Sequence, residues 1–354
     1  SSNSKTSYNG NYGLNASWTI YNGSKRLKTL KQERLNNQVA ELDVATSENT
    51  IKESIAQIYI QILYAAESVR VNENTLQVSI AQRDRGQELL NAGSIAKSDF
   101  AQLEAQVSTD RYQLVTAQAT LQDYKLQLKQ LLELDGENEI NVYLPKLSDE
   151  NVLAPLPAKK DVYVSALAIR PEIEASKLNV EASELGIDIA KSSYFPTISL
   201  SAGIGTNHTS GSDFTFGEQV KNGWNNSIGL SVSVPIFNNR QTKSAVQKAK
   251  LQRETNMLSL LDEQKALYKT IESLWLDANS AQQRYAAANE KLRSTQISYD
   301  LISEQFNLGM KNTVELLTEK NNLLQAQQEQ LQAKYMAILN TQLLKFYQGD
   351  KLTL

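Results

Sequence analysis

The sequence contains no cysteine, a single histidine (His208) and only six prolines among its 354 residues. Without cysteine there are no disulfides, thiolate metal sites or cysteine nucleophiles, and one histidine leaves little imidazole for catalysis. The formal charge of −3, from 36 basic and 39 acidic residues, argues against a protein that binds nucleic acid through phosphate contacts. Motifs of phosphate-binding loops, zinc proteases and serine hydrolases are also missing. We therefore expect no enzymatic activity, no metal ion and no cofactor.

Long hydrophobic runs are missing too, since no stretch approaches the roughly 18 apolar residues of a transmembrane helix. What is present instead is an alternation of apolar with small polar residues, at about 10–21, 196–205 and 227–237. A period of two predicts β-strands with one apolar face, and each segment is long enough for a tilted strand to cross a bilayer. The other face carries Asn, Ser, Thr and Gly but no Lys or Glu, which favours membrane strands over a soluble sheet.

The apolar face of these strands supplies the predicted lipid-facing residues. They are Tyr12, Leu14, Ala16, Trp18, Ile20, Ile198, Leu200, Ala202, Ile204, Ile228, Leu230, Val232, Val234 and Ile236. Aromatic residues near the strand ends, such as Trp224 and Phe237, are typical of membrane interfaces. The polar segment at 206–226 is predicted to be a surface loop in which His208 is solvated.

An internal repeat appears when the sequence is shifted against itself by 216 residues. NGNYGLNASWTIYN (9–22) meets NNSIGLSVSVPIFN (225–238), and NAG (91–93) meets NLG (307–309), without a gap. One offset that serves both landmarks predicts two tandem structural repeats. The predicted division is a first repeat at 1–135, a linker at 136–160 and a second repeat at 161–354.

The same alignment leaves residues 161–224 without first-half partners. We therefore expect a longer parent protein, in which a further helix and strand of the first repeat precede residue 1. The alternative is an asymmetric repeat that never had this part.

Helical periodicity fills the rest of the chain. Helices are predicted at about 24–91, 98–134, 161–193, 240–307 and 313–348. In the last helix Leu317, Leu324, Leu331 and Ile338 follow a seven-residue spacing, which predicts packed, supercoiled helices.

Two short turns would join the helices into hairpins. A glycine just past a helix end adopts the left-handed conformation at little cost, so Gly93 and Gly309 predict tight turns. Ser98, Asp99 or Thr313 would cap the helix that follows. The predicted fold class is thus mostly α with membrane β: long antiparallel helical hairpins joined to membrane strands. Three strands, or four with the missing one, are too few to close a barrel of about eight, so several subunits would have to share it.

Four motifs lie at the junctions of the predicted strands and helices: IYNGS (20–24), VPIFNN (234–239), IRPEI (169–173) and IAKSSYFPTISL (189–200). Together they resemble the TolC family of outer-membrane efflux proteins. The resemblance implies a homotrimer in which the subunits share one transmembrane β-barrel, continuous with a long periplasmic α-barrel. It also implies a location in the Gram-negative outer membrane, extending into the periplasm.

The function that this resemblance implies is that of an exit duct. Such a duct serves a tripartite efflux pump or a type I secretion system, and it conducts passively through a periplasmic gate. The implied partners are a periplasmic adaptor (membrane fusion) protein, through it an inner-membrane pump, and outer-membrane lipid. The alternative is a helical scaffold or interaction protein without a pore, and recovery of the full-length protein in the aqueous phase without detergent would favour it.

Two sets of candidate site residues follow. The hairpin tips keep the same turn in both repeats, which suggests an adaptor-docking surface at Asn91, Gly93, Asn307 and Gly309; the simpler alternative is that glycine only ends a helix. The residues that match the family's gate are Ser98, Asp99, Phe306, Lys311, Glu315 and Thr318.

Two of these gate positions depart from the family. Phe306 stands where the family example has a tyrosine, and Thr318 where a second acid is expected. Lys311 is predicted to pair with Asp99 or Ser98. The alternative is that Asp99 and Glu315 simply oppose the dipoles of their helices.

Overall fold

The computed structural model describes residues 7–134, 140–145 and 152–352, and most of these are helical. In chain order the elements are β1 (Asn9–Asn22), α1 (Lys25–Asn91), α2 (Lys97–Leu131), α3 (Lys159–Ile169), α4 (Pro171–Lys191), a 3₁₀ turn (Ser192–Tyr194), β2 (Thr197–Thr209), α5 (Phe216–Asn222), β3 (Asn225–Ser233), α6 (Gln241–Asn307) and α7 (Thr313–Gln348). Parts of the predicted linker, 136–139 and 146–151, lie outside the described residues.

The two longest helices, α1 and α6, have 67 residues each and contain no proline. At about 1.5 Å per residue, each would reach on the order of 100 Å. Three pairs of elements begin 216 residues apart, the same offset as in the sequence repeat. β1 and β3 start at 9 and 225, α1 and α6 at 25 and 241, and α2 and α7 at 97 and 313.

The chain divides into two compact units. The first comprises residues 1–43 and 172–263, and the second comprises residues 44–171 and 264–354. The β-strands belong to the first unit, whereas both hairpin turns belong to the second.

The three strands form one antiparallel sheet in the order β1-β2-β3. In its register Leu14 pairs with Ile204, and Ala202 pairs with both Ala16 and Ile228. Directly opposed residues point to the same side of an antiparallel sheet, so the apolar residues at 12–18 of β1 share one face with those of β2 and β3. The register shifts between Thr19 and Tyr21, so Ile198 lies opposite Tyr21 rather than Ile20, which was predicted to continue the same face.

The ends of both β2 and β3 differ from expectation. β2 continues to Thr209, so His208 is a strand residue rather than a loop residue. β3 ends at Ser233, which leaves Val234 and Ile236 beyond the strand. The reason is Pro235, which has no N–H to donate to a ladder and restricts the residue before it.

The segment between β2 and β3 is also not a simple loop, because it contains the short helix α5. Thr215 caps this helix, as its side chain accepts from the Glu218 backbone N–H while the Glu218 carboxylate accepts from Thr215 N at 2.8 Å. This capping box provides a local reason for a helical turn within an otherwise polar connector.

The predicted helix at 161–193 is wrong in one respect, since α3 and α4 are separate helices. Arg170 lies between them in an extended conformation, with φ −72° and ψ 123°. Pro171 causes the break, because its ring disfavours helical backbone at the preceding residue while its own φ suits the first turn of α4.

The core of the second unit packs α1, α6 and α7 together with Val152 from the segment before α3. Its buried members are Ala56, Ile60, Leu63, Val152, Ala281, Tyr285, Leu331, Ala333, Tyr335, Ala337, Ile338, Leu339 and Leu343. The segment around Val152 is held onto α6 by Gln282, whose amide donates to the carbonyls of Val152 and Ala154 at 3.0 and 2.8 Å.

Arg170 is the most buried arginine that the structure describes in this unit, at 8% exposure. Its guanidinium donates twice to Glu53 Oε1, at 3.3 and 3.4 Å, and lies 4.2 Å from the centroid of the Tyr347 ring. The Arg170 guanidinium therefore connects the α3–α4 break to α1 and to α7.

We predict that Arg170→Lys destabilises the protein by about 1–3 kcal/mol, because an ammonium can neither form the forked contact nor stack on Tyr347. The matched control is Arg253→Lys, whose pair with Glu184 at 2.9 Å is exposed, and which should change stability by about 0.5 kcal/mol or less. Urea unfolding measures both. Equal shifts for the two variants would contradict a special role for Arg170.

Candidate functional site

The apolar strand face, meaning the shared face that contains Leu14, Trp18, Ile204, Ile228 and Leu230, is widely exposed. Ile228 is 84% exposed, Leu14 71% and Leu230 66%. Single exposed apolar residues are ordinary, but a contiguous apolar surface marks a contact with another apolar phase or partner.

A cluster of three aromatic rings lies at one end of this face, near the start of β1. The Tyr12 and Phe216 rings meet edge to face at 6.3 Å, and the His208 ring lies 5.0 Å from Phe216. Thr206, the register partner of Tyr12, donates from Oγ1 to the Val220 carbonyl at 2.8 Å. These contacts seat α5 on the same side of the sheet as the apolar strand face.

The tip turns, Asn91–Ser94 and Asn307–Met310, have the same geometry. Gly93 and Gly309 adopt φ of 72° and 75°. The first turn is closed by Gly93 N to Leu90 O at 2.9 Å and Ser94 N to Leu89 O at 2.8 Å, and the second by the corresponding bonds at 2.9 and 2.8 Å. This pair of bonds defines a Schellman end, for which glycine is favoured by its backbone freedom.

A side chain at either glycine would meet no other atom within 4 Å. The glycines are therefore required by their left-handed φ and not by crowding. The predicted docking residues Asn91, Gly93, Asn307 and Gly309 all lie at exposed positions of these turns.

The helix caps differ from the predicted ones. α2 begins after Ala96 and α7 after Asn312, so neither Ser98 nor Asp99 is a cap. Asp99 and Glu315 both occupy the third helical position. Asn312 Oδ1 accepts from Glu315 N at 2.9 Å, and Glu315 returns a bond to Asn312 N at 3.3 Å. Asp99 accepts from Ala96 N at 3.2 Å, but alanine has no acceptor to return the bond. Thr313 is buried and does not cap.

Lys311 was predicted to pair with Asp99 or Ser98, but in the structure it pairs with Glu315. Its Nζ lies 2.6 Å from Oε1 of Glu315, which is four residues later in the first turn of α7. The hydrogen bond from Lys311, followed by the one from the Asn312 backbone, lowers the pKa of Glu315 below its ordinary 4.5. Because the folded-state pKa is lowered, the stabilisation is present above about pH 4.5 and is lost as the pH falls through the folded-state value.

The remaining gate candidates have different surroundings. Phe306 is 2% exposed and packs with Leu89, Leu103 and Leu316, so its ring belongs to the core between the hairpins and not to a surface. Thr318 donates to the Val314 carbonyl at 2.8 Å, and Ser98 is exposed. The structure thus brings together Lys311 and Glu315 of the predicted gate set.

A buried polar cluster, Ser79, Asp110 and Lys320, was not among the predicted site residues. The Lys320 ammonium and the Ser79 hydroxyl both contact Asp110 Oδ2, and all three residues are 3% exposed or less. Burial lowers the pKa of Lys320, and Asp110 opposes that shift. One sequence signal pointed here, since Asp110 interrupts the apolar heptad positions of α2.

Within residues 7–134, 140–145 and 152–352, no helix has an apolar stretch long enough to cross a membrane. The same residues contain no group of three or more His, Asp or Glu side chains arranged to hold a metal ion.

The sequence profile described as outer membrane efflux protein matches residues 1–133 and 162–349. The chain belongs to the outer membrane efflux protein family. The efflux-family relative BepC of Brucella suis biovar 1 is 26% identical over 294 residues, which cover 82% of this chain and 61% of BepC. TolC of Escherichia coli K12 is 24% identical over 341 residues, which cover 92% of this chain and 66% of TolC. The chain therefore spans less than two thirds of the length of BepC, and about two thirds of TolC.

Solved structures show the same fold for this efflux-family chain. A structure of CusC superposes with a TM-score of 0.82 at 19% identity, covering 99% of this chain and 80% of that one. Family membership confirms the resemblance to the TolC family and the predicted outer-membrane location. The family and these relatives are channels for transport, which supports a non-enzymatic role at the level of the family.

The two helix caps of the efflux-family hairpins generate a paired prediction. Ala96→Asn should stabilise the start of α2, and Asn312→Ala should destabilise the start of α7, each by about 1 kcal/mol, because an asparagine at this position accepts a backbone N–H. Amide hydrogen exchange over 97–100 and 313–316 measures both, with roughly fivefold slower and faster exchange expected. Changes of the same sign in the two variants would contradict the assigned caps.

Proposed function

We propose that this chain forms part of an outer-membrane exit duct for a tripartite efflux pump or a type I secretion system. The observation that carries the proposal is the combination, in one member of the outer membrane efflux protein family, of an exposed apolar strand face with two very long helical hairpins. Substrates would cross passively, through an opening controlled at the hairpin tips.

The sheet supports a shared membrane barrel. In the described residues β1 and β3 each pair with one strand only, so both edges carry free backbone groups. Unpaired backbone groups are very unfavourable in lipid, and closure into a barrel is the way for a sheet to avoid them. We propose that neighbouring subunits of a homotrimer supply the missing edges, and that lipid covers the apolar strand face.

The remaining lipid-facing assignments follow from this arrangement. Val234 and Ile236 lie outside β3, at 58% and 95% exposure, and would contact lipid or the membrane interface just beyond the strand. The constant spacing of 216 residues between corresponding elements supports two tandem repeats. In the trimer the helices of both repeats would line one periplasmic α-barrel below the membrane.

The tip turns would meet a periplasmic adaptor protein, which links the duct to an inner-membrane pump. The supporting observation is that both turns have the same geometry and present exposed glycines where no atom blocks a partner's approach. Beside them, Glu315 with its partner Lys311, together with Asp99, Ser98 and Thr318, would border the opening of the duct.

The docking role predicts that Gly93→Trp and Gly309→Trp, in the full-length protein, reduce pump-dependent resistance or export by about tenfold or more. A large side chain at the tips would block the adaptor. Gly93→Ala adds the same left-handed strain, about 1–2 kcal/mol, without the bulk, so it serves as a control for strain and should reduce export less than Gly93→Trp does. Gly211→Trp is the matched control, because Gly211 has a φ of 82° and no atom within 4 Å but lies in the connector before α5. Normal export in both tip variants would refute docking at the tips.

The border role predicts opposite effects for the two partners of the tip ion pair. Glu315→Gln should reduce the cation preference of the channel in planar bilayers, because acidic rings favour cations, and Lys311→Ala should increase it by exposing the carboxylate. The reversal potential under a salt gradient measures both.

The control for this experiment is Glu48→Gln. Glu48 forms the same kind of pair with Lys52, at 2.7 Å across one turn of α1, away from the tips. It should leave the reversal potential unchanged. A parent protein that forms no conducting channel would overturn the proposed function itself, whereas unchanged selectivity in both tip variants would overturn only the border role.

A further inference from the structure

The Ser79–Asp110–Lys320 cluster joins three helices inside the second unit. Ser79 lies on α1, Asp110 on α2 and Lys320 on α7, so the cluster connects both helices of the first hairpin to the second hairpin. Gln106 completes it by donating to Asp110 Oδ1 at 2.8 Å, and the same amide reaches Asn321 Oδ1 on α7 at 3.4 Å. Both oxygens of the buried carboxylate are therefore hydrogen-bonded.

Such a cluster is a poor means of gaining stability. Removing an ammonium and a carboxylate from water is unfavourable by several kcal/mol per ion, and apolar replacements of buried ion pairs are often neutral or stabilising. What a fully hydrogen-bonded buried pair does provide is selection of one arrangement, because a shift of one helix leaves both charges buried and unpaired.

The repeat offset shows that this layer of the bundle does not require charge. The residue 216 positions after Asp110 is Ala326, which is 0% exposed and fills the corresponding core position with a methyl group. The counterpart of Lys320 is Glu104, which is exposed, and the counterpart of Ser79 is Thr295, which is half-buried. The buried carboxylate is thus specific to the first repeat. The second repeat has an apolar side chain at the equivalent position.

The cluster also lies close to the tip turns. Lys320 follows the start of α7 by seven residues and Asp110 follows the start of α2 by thirteen, which corresponds to about 10 and 20 Å along the helices. Between the cluster and the turns lies the apolar layer of Leu89, Leu103, Phe306 and Leu316. A change of register at the cluster would be transmitted through this packed layer to the tips.

We propose that Ser79, Asp110 and Lys320 form an internal lock that holds α7 in one axial register against α1 and α2, and so keeps the two tip turns in one arrangement, in which the proposed opening of the duct is narrow. The three residues are positioning residues and do not contact the transported substrate. The effect on conduction rests on the proposed function, whereas the effect on the tips does not.

The test replaces the whole cluster with apolar residues, Ser79→Ala/Asp110→Leu/Lys320→Met, so that no buried polar group is left unpaired. Because the chain has no cysteine, Asn91→Cys and Asn307→Cys add unique sites for spin labels at the two turns. Labelled full-length chains are diluted with unlabelled chains, so that the measured distance lies within one chain. We expect a thermal midpoint equal to or above that of the parent, a broader distance distribution, and roughly a two- to thirtyfold rise in open probability in bilayers.

Two controls separate a lock from ordinary packing. Lys291→Met removes the exposed pair between Lys291 on α6 and Glu329 on α7, at 2.7 Å, and should change neither the distances nor conduction. Asp110→Asn leaves the Lys320 charge unpaired and should lower the thermal midpoint, which shows that the cluster is formed. A triple variant with the parent's narrow distances and open probability would overturn the lock. If the parent does not conduct, the proposed function fails while the distance measurement still decides the lock.

Discussion

The backbone hydrogen bonds of the three-stranded sheet are incomplete at both edges within the described part of the chain, and this constraint governs the rest of the molecule. The sheet also exposes large apolar residues such as Ile228 and Leu14 on one face. A sheet of this kind is stable in a membrane when other strands satisfy its edges and lipid covers its face. The proposed subunit assembly is the arrangement that meets both requirements at once.

A different constraint acts on the long helices, which depend on one another for burial. α1 and α6 carry few buried residues for their length, and the densest core gathers where α7 packs on them. Because each helix relies on its neighbours for burial, a local change of register is not absorbed locally. This is the physical basis for linking the buried Lys320 and Asp110 to the arrangement of the tip turns.

Much of the fold could be predicted, because its signals are local. Periods of two and of seven residues, two glycine turns and the repeat offset identify strands, helices and hairpins without knowledge of any contact. The errors have local causes as well. Pro171 and Pro235 end elements earlier than periodicity suggests, and the capping box of Thr215 with Glu218 forms a helix inside a polar connector.

The sequence by itself determined the element types, the apolar strand face and the positions of the tip glycines, since these depend on spacing and backbone conformation. Only the tertiary structure decided which side chains meet. Phe306 is a core residue, Lys311 pairs with Glu315 four residues later, and Asp110 pairs with Lys320, which is 210 residues away. Ion pairs between helices depend on axial register and rotation, which heptad spacing constrains without assigning partners. Burial then decides the cost of breaking such a pair, because an exposed charge that loses its partner is hydrated, whereas a buried one is left unpaired in the core.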